Sequence, residues 1–194
     1  SHWTNPVRAA SISPFANISL MGYDPSKFPV KRGVLEAVGA GISYKEGYLA
    51  LRCNFATVDK DIKIIDRRAG RNTYGLSDLV RYINEHLDIG VPFIFKRTYE
   101  HRAVMVIKMN LSDAVSGNDT TNIGTIKRVS AEKPDALVTA KIVQDFIDKT
   151  HKLIDYHRVN EERIKNGIPP ANYLLIREAG NKLRDLLPHF TNKY

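Results

Sequence analysis

The sequence is short of several things, and each shortage closes a class of function. It carries one cysteine, Cys53, in 194 residues, so an internal disulfide and a cysteine-built zinc centre are both excluded. No apolar run approaches the roughly 20 residues of a membrane span. The N-terminal stretch lacks the basic-then-apolar order of a secretory leader. Together these favour a reducing cytoplasm and no membrane partner. There is no Gly-rich phosphate loop and no His-Glu-x-x-His helix. His151 and His157 have no partner at a ligand spacing and read as helix-surface residues. Acidic residues are outnumbered: 21 Asp and Glu stand against 29 Lys and Arg, giving a net charge of +8 and a pI of about 9.5. That balance suits nucleic acid or a small anion equally. However, the basic residues are scattered, no basic tail exists, and no strand interleaves them with stacking aromatics as RNA-binding modules do. Nucleic acid is therefore disfavoured. The sequence opens at Ser1 rather than Met, which we read as a processed or excised segment.

What is present is an ordinary globular composition, 43% hydrophobic and 26% charged, long enough for one domain or slightly more. Residues 1–30 are broken by Pro6, Pro14, Pro25 and Pro29 and read as an arm that cannot build a core. Val34–Val38 suggests one or two helical turns stopped by Gly39 and Gly41. In Tyr48–Val58, Leu49, Leu51, Cys53 and Phe55 alternate with Ala50, Arg52 and Asn54, which predicts a strand. After the turn Asp59-Lys60-Asp61, a second strand over Ile62–Asp66 completes a hairpin. Leu76, Leu79, Val80, Ile83 and Leu87 share one helical face. Val91–Arg97 and Ala103–Met109 are two further strands. Residues 110–135 form a long polar passage, which is usually functional or disordered. Pro134-Asp135 opens the longest helix, with Val138, Ile142, Val143, Phe146, Ile147, Leu153 and Ile154 as its buried stripe. A short helix over Asn160–Asn166, a strand over Tyr173–Ile176 and a helical turn or two over Asn181–Leu187 follow. The order strand, strand, helix, strand, strand predicts an α+β fold: a mainly antiparallel, ferredoxin-like sheet with helices on one face. The other face is then partly free to meet another domain.

The chemistry concentrates at two strand ends. One stretch, Leu51-Arg52-Cys53-Asn54-Phe55-Ala56-Thr57, is answered by Asp66-Arg67-Arg68-Ala69-Gly70-Arg71. Guanidinium forks match phosphate and carboxylate oxygens two at a time, so Arg52, Arg67, Arg68 and Arg71 suit a small, multiply charged acid. The plainer alternative, arginines that only pair with carboxylates, stays open on sequence. His101-Arg102 falls where one strand passes to the next. There His101 reads as a proton carrier or oxyanion partner and Arg102 as a phosphate clamp, with a surface turn as the alternative. Ser13 has no local activating base or metal and reads, on its neighbours alone, as a loop residue. Ser116-Gly117-Asn118-Asp119 reads as a solvated loop rather than a metal or phosphate site.

Several stretches then carry a resemblance. They are Gly22-Tyr23-Asp24-Pro25; Arg32-Gly33 with Glu36-Ala37 and Gly39-Ala40-Gly41; Arg52-Cys53-Asn54-Phe55-Ala56-Thr57-Val58; Asp66-Arg67-Arg68-Ala69-Gly70-Arg71; and His101-Arg102. Leu111-Ser112-Asp113, Val115-Ser116, Val159-Asn160 with Arg163, Pro169-Pro170-Ala171-Asn172, and Arg177 with Ala179-Gly180 follow in order. Together they resemble the archaeal-type, cofactor-independent phosphoglycerate mutases of the alkaline phosphatase superfamily. The resemblance implies a longer enzyme in which an α+β insert holds phosphoglycerate while the missing halves of a phosphatase-like domain bind divalent metal (manganese, zinc or magnesium). In that frame residues 1–45 are an arm of the catalytic domain, 46–178 the substrate-binding insert, and 179–194 the return arm. No complete metal-ligand set is expected in this chain. The reaction implied is interconversion of 2-phosphoglycerate and 3-phosphoglycerate, in glycolysis and gluconeogenesis, through a phosphoserine. Ser13 would be that serine, and Arg52, Asn54, Asp66, Arg67, Arg68, Arg71, His101 and Arg102 would line the substrate side.

The chain departs from the family pattern at three places. Ser-Asp-Thr-Ala-His becomes Ser13-Pro14-Phe15-Ala16-Asn17. Val-Ser-Asp-Thr-Asp-Pro-His becomes Val115-Ser116-Gly117-Asn118-Asp119-Thr120-Thr121. An expected Arg-Gly-Ala reads Arg177-Glu178-Ala179. These losses motivate an alternative, a divergent and catalytically silent homologue that binds a phosphorylated ligand or a partner protein.

Overall fold

The structure, a computed structural model, describes residues 31–183. Five strands form one antiparallel sheet: β1 (Tyr48–Val58), β2 (Ile64–Asp66), β3 (Phe93–Arg97), β4 (Arg102–Asn110) and β5 (Tyr173–Gly180). Four helices accompany them among the described residues: α1 (Arg32–Gly39), α2 (Leu76–His86), α3 (Leu137–Ile154) and α4 (Arg158–Lys165). The sheet runs β3-β4-β1, and the far edge of β1 is shared by β5 along most of its length and by β2 at its end. β3, β4, β1 and β5, with α2 and α3 as the crossings, give the expected strand–helix–strand–strand–helix–strand path.

The period of two along β1 and β4 divides the sheet into two faces. Leu49, Leu51, Cys53, Phe55, Ala103, Met105 and Ile107 meet Leu79 and Ile83 of α2 and Val143, Phe146 and Ile147 of α3 in the main core. Phe95 stacks edge-on between Phe55 and Phe146, with centroids 6.0 and 5.9 Å apart. Burial pushes the Cys53 thiol well up, so the single cysteine is a core residue. On the other face Ala50, Val104 and Val106 pack with Val34, Ala37 and Ile42. Gly33 lets α1 approach closely, because an added Cβ would collide with the carbonyls of Ala50 and Glu178.

Several expectations are corrected here. The second face is not left open near its centre, because α1 covers it. Val138 is 58% exposed rather than part of the α3 stripe, because the buried face runs through Thr139, Ala140, Val143, Phe146, Ile147, Thr150 and Ile154 and Val138 falls outside it. β2 begins at Ile64, not Ile62, and meets β1 only at Thr57 and Val58. The last strand continues to Gly180, since β1 offers a free edge to pair with. The passage 110–135 is anchored, not free: bridges join Val115 to Ala131 and Ile64 to Gly124. Asn118 lays its side chain along β5, donating to Leu174 O and accepting from Ile176 N. Gly117 is required there, since a Cβ would strike Ile176 O. His157 lies beyond the long helix and caps α4, accepting from Val159 N. His151 is half-buried, its Nδ1 2.7 Å from Asn172 O. Residues 181–183 fall within the described range, while most of the Asn181–Leu187 turn lies outside it.

Candidate functional site

The polar positions of β1 and β4 converge beside α1. Asn54 faces Arg102 across the ladder, and Arg52 faces Val104 on one side and Arg177 on the other. Arg52 is 5% exposed, Asn54 8% and His101 5%. His101 sits in the tight turn before β4, where its backbone carbonyl accepts from Phe55 N at 2.8 Å. Arg97 Nη1 donates to Glu100 O of the same turn, and Glu100 takes a left-handed φ of 51°.

Arg52 lies between two carboxylates. Its Nε is 3.4 Å from Glu36 Oε1, and its Nη1 is 3.9 Å from Glu178 Oε2, which also lies 3.6 Å from Arg32 Nε. The Glu36 contact is an ion pair without a directed hydrogen bond. Among the described residues Arg52 Nε, Glu36 Oε2, Asn54 Oδ1, His101 Nδ1 and Arg102 Nε have no hydrogen-bond partner. Buried polar groups are normally paired. Here five orphaned donors and acceptors are concentrated on one patch.

Burial sets the charges here. It pushes Glu36 up, against the pull of Arg52 and Arg102. It lowers Arg52, opposed by Glu36. His101 is held down at about 4, by burial first and then by Arg102, with Arg71 and Arg52 adding to the effect against Glu100. At neutral pH His101 is thus an uncharged imidazole among guanidinium groups, able to donate one N–H and accept at its other nitrogen.

The second arginine motif is shaped by its own first residue. Asp66 accepts from Arg68 N at 2.8 Å and from Gly70 N at 3.0 Å. Its carboxylate thereby sets the following turn rather than facing the Arg52 cluster. Ala69, Gly70 and Arg71 are left-handed in succession, at φ 48°, 69° and 55°, a run that costs energy at the two non-glycine positions. Arg163 holds it. The guanidinium is fully buried and donates to four carbonyls, those of Ala69 (2.9 Å), Asn72 (3.0 Å), Tyr74 (2.7 Å) and Pro169 (2.9 Å). Arg67 is engaged elsewhere, in a two-pronged pair with the buried Asp119 at 2.8 and 2.9 Å, and Arg177 lies 3.9 Å from the same carboxylate. Arg68 and Arg71 are exposed.

The structure thus brings together Arg52, Asn54, His101 and Arg102, with Arg71 near enough to act on His101. It ties Asp66 and Arg67 into the scaffold around them. Sequence reasoning passed over Glu36, Glu178, Asp119 and Arg163 as parts of this region. All four did stand inside quoted stretches, Asp119 and Glu178 as departures from the family pattern, but only the fold brings Asp119 to Arg67 and Glu178 to Arg52. Ser13 and Gly22-Tyr23-Asp24-Pro25 lie outside the described residues. Among the described residues no group of three or more His, Cys, Asp or Glu could hold a metal ion, so the divalent metal implied by the family resemblance does not fit residues 31–183.

Fold and site together define an α+β sheet domain that carries a desolvated cluster of arginines with a neutral histidine. The profile described as 2,3-bisphosphoglycerate-independent phosphoglycerate mutase matches residues 3–160. The mutase of that name from Methanopyrus kandleri is 40% identical over 191 residues, covering 94% of this chain and 45% of its own. The one from Pyrococcus horikoshii is 44% identical over 171 residues, covering 87% of this chain and 41% of its own. A solved cofactor-independent phosphoglycerate mutase from Thermoplasma acidophilum superposes with a TM-score of 0.75 at 37% identity, over 88% of this chain and 47% of that one. The chain belongs to the family of 2,3-bisphosphoglycerate-independent phosphoglycerate mutases. It spans less than half the length of the curated relatives it matches.

Proposed function

We propose that this chain is the substrate-binding part of a cofactor-independent phosphoglycerate mutase, which as part of a longer chain interconverts 2-phosphoglycerate and 3-phosphoglycerate. The observation that carries the reading is the group of unpartnered polar atoms on Arg52, Asn54, His101 and Arg102 at one sheet face. Guanidinium N–H groups take the oxygens of the acid, and a desolvated site strengthens each such bond. Neutral His101 is suited to a substrate hydroxyl, since it can give or take a proton without carrying charge among the arginines. Asp66 and Arg163 shape the turn that offers Arg68 and Arg71 at the rim, and Arg67 with Asp119 braces it.

Phosphoryl transfer is the task of the longer protein, with Ser13 as the group that carries the phosphate. The divalent metal of the family's chemistry would be held by the part of the relatives that this chain does not span. In this reading 46–178 is the insert, with α1 packed on it, and 1–45 and 179–194 lead to the catalytic domain. A reducing cytoplasm and glycolytic or gluconeogenic use belong to the same reading. Among the described residues no helix is long and apolar enough to cross a membrane.

The test is titration of 3-phosphoglycerate into isotopically labelled 194-residue protein, followed by NMR. Signals from Arg52 Nε, Arg102 Nε and the His101 ring are expected to move together with one saturating affinity, without turnover to 2-phosphoglycerate. Unchanged signals at all three would overturn the binding role, and turnover by the isolated chain would overturn the division of labour.

A further inference from the structure

We propose that Glu178 is a specificity-determining residue: its carboxylate stands on Arg52 in place of one of the two anionic groups of a two-headed acid, which must displace it to bind. The inference rests on the anion-site reading above and names the class of ligand that site selects.

Three observations carry it. First, Glu178 holds a left-handed φ of 57°, a conformation that suits glycine and strains a residue with a Cβ. The strain falls where the β1–β5 register slips between Ala50 and Arg52, and such a bulge re-aims a side chain. Second, the re-aimed carboxylate lies 3.9 Å from Arg52 Nη1 and 3.6 Å from Arg32 Nε. Third, the two acids on Arg52 are unlike. The Glu36 side chain, carried on the sheet-facing side of α1, is 7% exposed, whereas that of Glu178 is 35% exposed. Glu36 is a fixed counter-charge; Glu178 can swing out to solvent and leave Arg52 Nη1 to an incoming oxygen. An acid with a single anionic group can settle at His101, Arg102 and Arg71 without touching Arg52. One with two groups a few bonds apart reaches both ends of the patch and must evict Glu178. The residue therefore lowers affinity for two-headed acids in particular.

The experiment measures binding to the full 194-residue chain by calorimetry, for Glu178→Gln, Glu178→Gly and the unaltered protein. The probes are 3-phosphoglycerate, 3-phosphonopropionate (two anionic groups, no hydroxyl) and inorganic phosphate. The glutamine variant keeps the side-chain length and the backbone conformation and removes only the charge. It is expected to bind both two-headed acids about fivefold more tightly, in line with release of an ion pair that is exposed on the Glu178 side only, while inorganic phosphate changes less than about 1.5-fold. An equal gain for all three anions means a general field effect, and overturns the proposal. So does a gain confined to Glu178→Gly, which would make the effect one of backbone strain, and so does no gain at all. If 3-phosphoglycerate fails to bind any variant while 3-phosphonopropionate shows the gain, the phosphoglycerate reading falls and this one stands. If neither two-headed acid binds any variant, both fall.

Discussion

Two arginines are deeply buried among the described residues, and they differ in how completely they are satisfied. Arg163 gives its donors to the carbonyls of Ala69, Asn72, Tyr74 and Pro169 and faces no carboxylate. Arg52 sits between Glu36 and Glu178 at ion-pair distances, with an Nε that makes no directed hydrogen bond among the described residues. The first pattern is that of a residue holding its own fold together: each of its three guanidinium nitrogens donates to a carbonyl. The second is that of a residue kept ready, since its charge is balanced enough to be tolerated in a buried place but its directional capacity is unspent. Burial alone does not separate these two arginines; the accounting of donors does.

Replacement is the most direct way to break this comparison. Arg163→Met leaves four carbonyls without their donors and frees a strained turn, so it is expected to cost about 4 kcal/mol in urea unfolding. Arg52→Met should cost about 1 kcal/mol or less, because the stranded Glu36 can take a proton. If the two losses are equal, the distinction between them is wrong. The same Arg52→Met change should weaken 3-phosphoglycerate binding about 100-fold, since a charge-assisted, desolvated contact disappears. Arg163→Lys, if folded, should retain most of the affinity.

His101 sharpens the contrast through pH. Its native value of about 4 lies below the ordinary 6.5, so between those values the unfolded chain binds the proton more readily than the native one. Stability is therefore full above about pH 6.5 and is lost as pH falls toward 4, by about 2 kcal/mol between about pH 7 and about pH 4.5. Glu36, shifted up by burial, acts in the opposite direction. The quantity to measure is thus the difference between the unaltered protein and His101→Phe, which should lack the His101 slope. Parallel curves would mean that His101 is not desolvated. The smallest effect belongs to an ordinary surface pair, Arg81 with Asp78 on α2, exposed on both sides. Arg81→Ala should shift thermal stability by less than about 0.5 kcal/mol and leave anion binding unchanged.

Much of the site was legible in the chain because its signals are local. Alternation along Tyr48–Val58 separates the core residues from Arg52 and Asn54, and the tight spacing of Asp66 through Arg71 announces a turn crowded with guanidinium groups. His101-Arg102 was legible as a strand-to-strand junction. Local pattern could not assign work within these groups. Asp66 and Arg67 look like ligands in the sequence, yet Asp66 is spent on two backbone amides and Arg67 on Asp119. Their partners either stand too close to be read as anything but turn chemistry or come from the distant passage 110–135. That passage read as solvated because it is polar, and it lies on β5 because Asn118 supplies the hydrogen bonds of a missing strand.

By itself the sequence determined the alternating strand, the amphipathic helices, the arginine-rich turns and the family, all of which are written in residues a few positions apart. Tertiary structure alone decided that β5 closes against β1, that α1 covers the second face through Gly33, and that Arg52 ends between Glu36 and Glu178 rather than in water. The physical reason is range. Backbone periodicity and turn chemistry act over a few residues, whereas desolvation and charge pairing depend on which distant segments the sheet brings within about 4 Å of one another.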